Sequence, residues 1–265
     1  MIVSEALALA AELGVERLDA QLLLAHLLEK DRSWLITHDD ASVDAVATRA
    51  LLQRRAGGEP FAYIVGEQEF HGLKLKVTPA TLIPRPDTET LVDWALELLT
   101  PGSSVVDLGT GSGAIALAIK HRQPGAEVHA VDLSIAALDV ARANAAHLDL
   151  AVTFHAGGWL APLTGRRFSM IVSNPPYIAG DDPHLAALGH EPASALTPGG
   201  DGLADLQAII EAAPGHLEPG GWLLLEHGYD QAEALAELLR RRGFAELALR
   251  HDLGGNPRAS GGRWL

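Results

Sequence analysis

Val105-Val106-Asp107-Leu108-Gly109-Thr110-Gly111-Ser112-Gly113 joins the pattern of an apolar strand to that of a helix. Residues 105–108 predict a short buried strand, and residues 114–121 predict a helix. The glycines permit a tight turn and a close approach to a ligand, while the helix N-terminus presents unpaired N–H groups. Because any tight strand-to-helix turn favours glycine, this run alone is weak evidence for a ligand. Its Gly-x-Gly-x-Gly spacing differs from the Gly-x-Gly-x-x-Gly of a pyrophosphate site and argues against a dinucleotide.

Short apolar strands alternate with amphipathic helices from Ser103 to the end of the chain. The predicted strands cover residues 105–108, 127–131, 152–155, 168–173, 222–226, 245–250 and 262–265. The predicted helices cover residues 114–121, 134–146, 203–213 and 231–241. This alternation predicts an α/β fold, with a parallel sheet that is covered by helices on both faces.

The region before this sheet has a different pattern. Residues 1–66 show apolar residues at three- and four-residue spacing and predict a small helical domain. Residues 67–80 contain two short alternating runs around Gly72 and predict a β-hairpin linker. Residues 81–265 then form the larger domain, whose first helix we expect near Asp87 or Thr88 with Asp87 as its cap.

Composition excludes several classes of site. The 265 residues include no cysteine, which rules out disulfides, thiolate metal ligands and a cysteine nucleophile. The twelve histidines show no metal-ligand spacing, so we expect no metal site. A net charge of −14 disfavours nucleic acid as a direct partner. With no membrane-length apolar run and no basic leader, we expect a cytoplasmic protein, and a monomer.

Asp132 lies at the end of the second predicted strand, about twenty residues beyond the glycine run. An acidic residue at this place typically receives the ribose hydroxyls of an adenosine-type cofactor. The alternative is a helix cap, because residue 134 opens the next predicted helix. Together with a glycine run that disfavours a diphosphate, Asp132 indicates S-adenosylmethionine.

Asn174-Pro175-Pro176-Tyr177 follows the strand predicted at residues 168–173. Proline cannot donate to a sheet ladder, and the residue before a proline is pushed to extended geometry. Asn174 is therefore expected to be held rigid at the carboxyl edge of the sheet, where its amide can grip a planar substrate NH2 group. Tyr177 is a candidate aromatic wall. The alternatives are a plain strand-ending turn and, for Tyr177, core packing.

Several motifs together resemble the HemK/PrmC family, the glutamine N5-methyltransferases of class-1 peptide chain release factors. They are residues 81–89, 107–116, 174–178, 191–196, 199–203 and 252–256. The resemblance runs from about Glu59 to the C-terminus. It implies a seven-stranded, Rossmann-like, S-adenosylmethionine-dependent methyltransferase domain at residues 81–265. It also implies that residues 1–66 recognise the substrate, a class-1 release factor.

The resemblance also assigns site residues. The residues implied to contact S-adenosylmethionine are Gly109, Thr110, Gly111, Ser112, Gly113, Asp132 at the ribose, Trp159 near the adenine, and Asn174. Those implied to hold the substrate glutamine are Asn174, Pro175, Pro176 and Tyr177. The family often has an acidic residue just before Trp159, where this chain has Gly157-Gly158. A side-chain contact to the adenine amine is therefore open.

The expected reaction moves a methyl group from S-adenosylmethionine to N5 of the glutamine in the Gly-Gly-Gln motif of the release factor. The catalytic candidates are Asn174, Pro175 and Tyr177. We expect the Asn174 side-chain oxygen and the Pro175 carbonyl to accept the two amide N–H bonds of the glutamine. The alternatives are an N6-adenine methyltransferase for DNA or RNA, a ribosomal-protein glutamine methyltransferase, and a non-catalytic adaptor.

Overall fold

A computed structural model describes residues 1–265 and divides into two units, Met1–Glu67 and Gln68–Leu265. The first unit is helical. Its helices are α1 (Val3–Glu12), α2 (Arg17–Leu28), α3 (Arg32–Thr37), α4 (Ala45–Ala56) and α5 (Phe61–Val65). The Asp31 side chain caps α3 and the Asp44 side chain caps α4, each by accepting backbone N–H groups of the first turn. Leu24 and Leu52 are among its fully buried side chains.

The second unit begins with a hairpin of β1 (Glu67–Phe70) and β2 (Leu73–Lys76). His71 and Gly72 form the two-residue turn and both have positive φ, as a tight hairpin requires. The Asn144 side chain accepts the Lys76 N–H at 2.7 Å and donates to the Lys76 carbonyl at 3.0 Å. It also donates to the Ser112 carbonyl at 2.9 Å, which ties the hairpin to the glycine run.

A seven-stranded sheet with the order β5-β4-β3-β6-β7-β9-β8 forms the rest of this unit. Its strands are β3 (Ser104–Leu108), β4 (Glu127–Asp132), β5 (Thr153–Ala156), β6 (Phe168–Ser173), β7 (Leu217–Glu226), β8 (Ala245–His251) and β9 (Pro257–Arg263). The helices are α6 (Glu89–Leu98), α7 (Ala114–Arg122), α8 (Ile135–His147), α9 (Ala204–Ala212) and α10 (Ala232–Arg242). This α/β architecture confirms the predicted fold class.

The predicted parallel sheet has an antiparallel strand at one edge. Strands β5, β4, β3, β6 and β7 pair in parallel, but β9 lies antiparallel between β7 and β8. The connection from β8 to β9 is a short turn around Asp252–Asn256, which is too short for the crossover that a parallel pair needs. The sheet is therefore mixed.

Each face of the sheet has its own apolar core. Val105 of β3 belongs to the cluster that also holds Trp94 of α6 and Leu117 of α7. Its neighbour Val106 points to the opposite face and joins the cluster of α9 and α10. Because β3 pairs in parallel with both β4 and β6, the carboxyl ends of these three strands lie at one edge of the sheet.

The predicted cap at Asp87 is wrong. A 3-10 turn at Pro86–Thr88 precedes α6, and no side chain caps this helix. Asp87 instead lies 3.2 Å from the Arg258 guanidinium, in a charge pair that sequence spacing does not show. No helix in the chain combines the length and the apolar character that a membrane span requires.

Candidate cofactor and substrate site

A cavity of about 760 Å3 opens at the carboxyl ends of β3, β4 and β6, within the second unit. This is the size of a pocket for a nucleoside-sized ligand. Its lining comes from segments 79–82, 109–111, 132–137, 157–159, 174–176 and 192–197, with Asp205 on α9. Among the residues predicted for the site, those that line the cavity are Gly109, Gly111, Asp132, Trp159, Asn174 and Pro176.

Two glycines of the loop between β3 and α7 are required for different reasons. At Gly109 (φ 71°) a Cβ would lie 3.2 Å from Trp159 Cζ3, so the absence of a side chain lets the indole ring pack on the loop. At Gly113 (φ 87°) a Cβ would lie 3.0 Å from Leu117 Cδ1 and 3.3 Å from the Ala141 Cβ. Glycine at Gly113 thus permits both the left-handed turn into α7 and its close packing on α8.

Thr110, Ser112 and Gly113 do not line the cavity. The Thr110 hydroxyl turns inward and donates to Asp107 Oδ2 at 2.6 Å, and the same oxygen accepts the Ala116 N–H at 3.2 Å. Burial raises the pKa of Asp107 to about 7. Asp107 therefore holds the glycine loop from its buried side, opposite the cavity. Its position one residue before the end of the strand that leads into such a loop was the available sequence signal for this role.

Asp132 holds the loop from the cavity side. Its Oδ2 accepts the Gly111 N–H at 2.8 Å, and its Oδ1 accepts the Ser134 N–H at 2.8 Å. The cap of α8 is Ser134, whose hydroxyl accepts the Ala137 N–H at 3.2 Å. Asp132 is thus a wall residue, and each carboxylate oxygen keeps a further lone pair for a hydroxyl ligand.

Trp159 and Asp205 form the neighbouring wall. Trp159 has a φ of 46°, a left-handed conformation that a bulky residue adopts only when its surroundings impose it. Asp205 lines the same cavity, and partial burial raises the pKa of its carboxyl while the nearby Trp159 indole partly offsets this rise. Sequence reasoning missed Asp205, because it lies on a helix distant in the chain from Gly157-Gly158.

The structure divides the tetrapeptide after β6. The Asn174 Nδ2 donates to the Thr88 hydroxyl at 3.2 Å, and Asn174 and Pro176 line the cavity. Pro175 and Tyr177 do not line it. The Tyr177 ring packs beside the core, and its hydroxyl donates to Glu226 Oε1 at 3.2 Å. Burial is the main cause of a raised pKa for Tyr177, which stays protonated.

A buried carboxylate joins the two segments that form the opposite wall. Glu191 Oε2 accepts the Ile83 N–H at 3.0 Å, and Glu191 Oε1 pairs with the Arg85 guanidinium. Residues 79–82 and 192–197 lie on either side of this contact and line the cavity. The sequence motifs containing Arg85 and Glu191 were recognised, but their pairing across more than a hundred positions was not predicted.

Comparison with known proteins places the chain in a family. The family model of the PrmC N-terminal domain matches residues 3–66, and that of the methyltransferase small domain matches residues 88–204. The release factor glutamine methyltransferase of Xylella fastidiosa strain Temecula1 is 51% identical, over 97% of each chain. The release factor glutamine methyltransferase of Bordetella pertussis is 50% identical, over 96% of this chain and 97% of the relative.

Among solved structures, the 16S rRNA N2 G1207 methyltransferase of T. thermophilus, in complex with AdoMet and guanosine, superposes with a TM-score of 0.56. It is 21% identical, and the match covers 75% of this chain and 50% of that chain. At this identity the likeness shows the fold alone. The two near-full-length relatives at about 50% identity show the family as well as the fold. The chain therefore belongs to the release factor glutamine methyltransferase family.

Proposed function

We propose that this enzyme transfers a methyl group from S-adenosylmethionine to the side-chain nitrogen N5 of the glutamine in the Gly-Gly-Gln motif of class-1 release factors. The observation that carries the proposal is that Asn174 lines the same cavity as Gly111 and Asp132. An amide that can grip a planar nitrogen therefore stands beside the features that suit an adenosine-type methyl donor.

The cofactor is S-adenosylmethionine, and the cavity wall suggests how it is held. Asp132 accepts the ribose hydroxyls, with its carboxylate already oriented by the Gly111 and Ser134 N–H groups. Gly111 leaves open space beside the loop for the donor, and Trp159, which packs on Gly109, would lie along the adenine. Asp205 stands where it can accept the adenine amine, a contact that Gly157-Gly158 cannot make with side chains.

The substrate glutamine lies at the Asn174 end of the cavity. The Asn174 Nδ2 is engaged by Thr88, so its Oδ1 is the atom left to accept an N–H of the glutamine amide. Pro176 lines the cavity beside Asn174 and would support the substrate directly. The backbone carbonyl of Pro175 is the proposed acceptor of the second N–H, and Tyr177 supports the tetrapeptide from the core side. Holding both N–H bonds aims the nitrogen lone pair at the sulfonium methyl.

In the transfer a nitrogen–carbon bond forms as the sulfur–carbon bond breaks, and the sulfur leaves as a neutral thioether. The methylated nitrogen then releases one proton to water, because an N-protonated amide is strongly acidic. No general base is required, and the enzyme acts through orientation and electrostatics. A release-factor substrate implies a cytoplasmic enzyme that acts on translation termination through a direct contact with a protein partner.

Methyl transfer to a purified class-1 release factor tests this function. The enzyme is incubated with methyl-labelled S-adenosylmethionine and either the native factor or its Gln→Ala variant in the Gly-Gly-Gln motif. Label confined to the native factor, located at that glutamine by fragment mass spectrometry, is the expected result. Equal labelling of both factors, or labelling of nucleic acid only, contradicts the proposal.

A further inference from the structure

Two buried side chains lie behind the tetrapeptide and do not line the cavity. Thr88 is 4% exposed and Glu226 is 1% exposed. Thr88 receives the Asn174 Nδ2–H at 3.2 Å, and Glu226 receives the Tyr177 hydroxyl at 3.2 Å. Both polar side chains of the tetrapeptide are therefore anchored on this pair.

The sheet register explains why Glu226 lies there. Ser173 of β6 pairs with Leu225 of β7, so Asn174 and Glu226 are the next residues on neighbouring parallel strands. Thr88 reaches the same point from the turn that precedes α6. Three segments distant in the chain thus converge behind the cavity wall.

Glu226 is incompletely satisfied. Its Oε2 is fully enclosed and has no hydrogen-bond partner, a costly state for a buried carboxyl. Arg258 acts on this carboxyl, but its guanidinium lies 3.0 Å from Asp252 and 3.2 Å from Asp87. Burial raises the pKa of Glu226, and the Thr88 hydroxyl partly offsets this rise. Packing alone would favour an apolar residue here.

The direction of the hydrogen bond between Asn174 and Thr88 determines which way the Asn174 amide points. A threonine hydroxyl has one hydrogen to donate, and Thr88 uses a lone pair to accept from Asn174. The amide nitrogen of Asn174 is therefore held inward, and its oxygen is left to face the cavity.

We propose that Thr88 is a positioning residue for methyl transfer, which holds the Asn174 amide nitrogen inward so that the amide oxygen receives the substrate glutamine. This inference rests on the proposed function. It differs from a purely structural role, because it predicts loss of turnover without loss of fold or cofactor binding.

The test compares Thr88→Val, which keeps the shape and removes the hydroxyl, with Thr88→Ser, which restores it. We expect Thr88→Val to lower kcat on the release factor by about 10- to 100-fold, the cost of a misdirected contact. The Kd for S-adenosylhomocysteine and the melting temperature should change little, and Thr88→Ser should recover most of the kcat.

Thr153→Val is the control. Thr153 is an exposed threonine at the start of β5 and does not line the cavity, so this variant should keep the parent kcat. Parent-like kcat in Thr88→Val overturns the positioning role, as does a loss that Thr88→Ser fails to recover. Failure of the parent enzyme itself to label the glutamine overturns the proposed function instead, so the two failures are distinguishable.

Discussion

Asp132 Oδ2 accepts the backbone N–H of Gly111 at 2.8 Å, across the gap between the ends of two parallel strands. This hydrogen bond joins the two parts of the site that the sequence shows separately, the glycine loop after β3 and the acid at the end of β4. It orients the carboxylate before any ligand arrives, and so reduces the entropy lost on binding.

Asp132→Asn should weaken cofactor binding. An amide has one acceptor oxygen in place of two, so Gly111, Ser134 and a ribose hydroxyl can no longer all be satisfied. We expect a loss of about 1.5–3 kcal/mol in the binding of S-adenosylhomocysteine, about 10- to 100-fold in Kd by calorimetry. Asp139→Asn on exposed α8 is the control, and an equal loss in both variants would contradict this role.

Alanine at Gly113 should destabilise the second unit more than alanine at other glycines of the region. Both Gly113 and Gly111 have positive φ, so an alanine at either position strains the backbone. The alanine Cβ at Gly113 would also lie 3.0 Å from Leu117 Cδ1, whereas a Cβ at Gly111 would have no atom within 4 Å. We expect about 1–3 kcal/mol from strain at each, with an added packing cost at Gly113. Gly125→Ala, with ordinary φ and open space, is the control. A loss of melting temperature in Gly113→Ala no larger than that in Gly111→Ala would refute the packing argument.

Glu226 should make stability depend on pH. Burial raises its pKa from 4.5 to about 7, so the folded state favours the neutral carboxyl. The stabilisation that the neutral carboxyl gives to the folded state is fully present below pH 4.5 and is lost as pH rises through 7. Tyr177, Thr88, Arg258 and Asp87 are the groups that act on this carboxyl. Relative to the parent, Glu226→Gln should therefore gain melting temperature between about pH 5 and pH 8. A difference that stays constant over this interval contradicts the titration.

The parts of the site that sequence predicted are those governed by local rules. The strand at residues 168–173 was placed correctly, because Pro175 cannot extend a ladder and marks its end. The glycine loop and Asp132 follow from a fixed spacing in one strand–helix–strand unit. The predicted start of strand β9, at residue 262, lies after its observed start at Pro257, because Gly261 and Gly262 interrupt its apolar pattern. Structure explains both glycines, since a Cβ at Gly261 would lie 2.5 Å from the Leu223 carbonyl oxygen and one at Gly262 2.7 Å from Leu247 Cδ2.

Contacts between distant segments were beyond such rules. Asn174 and Thr88 are 86 positions apart, and Tyr177 and Glu226 are 49 positions apart. Nothing in the local pattern of either residue says which way its polar atoms point. The tetrapeptide was therefore located by sequence, whereas the inward direction of Tyr177 and the anchoring of Asn174 emerged only from the fold.

Single-turnover methyl transfer by Asn174→Ala tests the central claim most directly. The claim is that the Asn174 amide orients the glutamine nitrogen of the release factor. With enzyme in excess over labelled S-adenosylmethionine and saturating release factor, we expect the transfer rate to fall by about 100-fold or more while the Kd for S-adenosylhomocysteine stays close to that of the parent. A transfer rate near that of the parent enzyme, at unchanged cofactor affinity, would contradict the account.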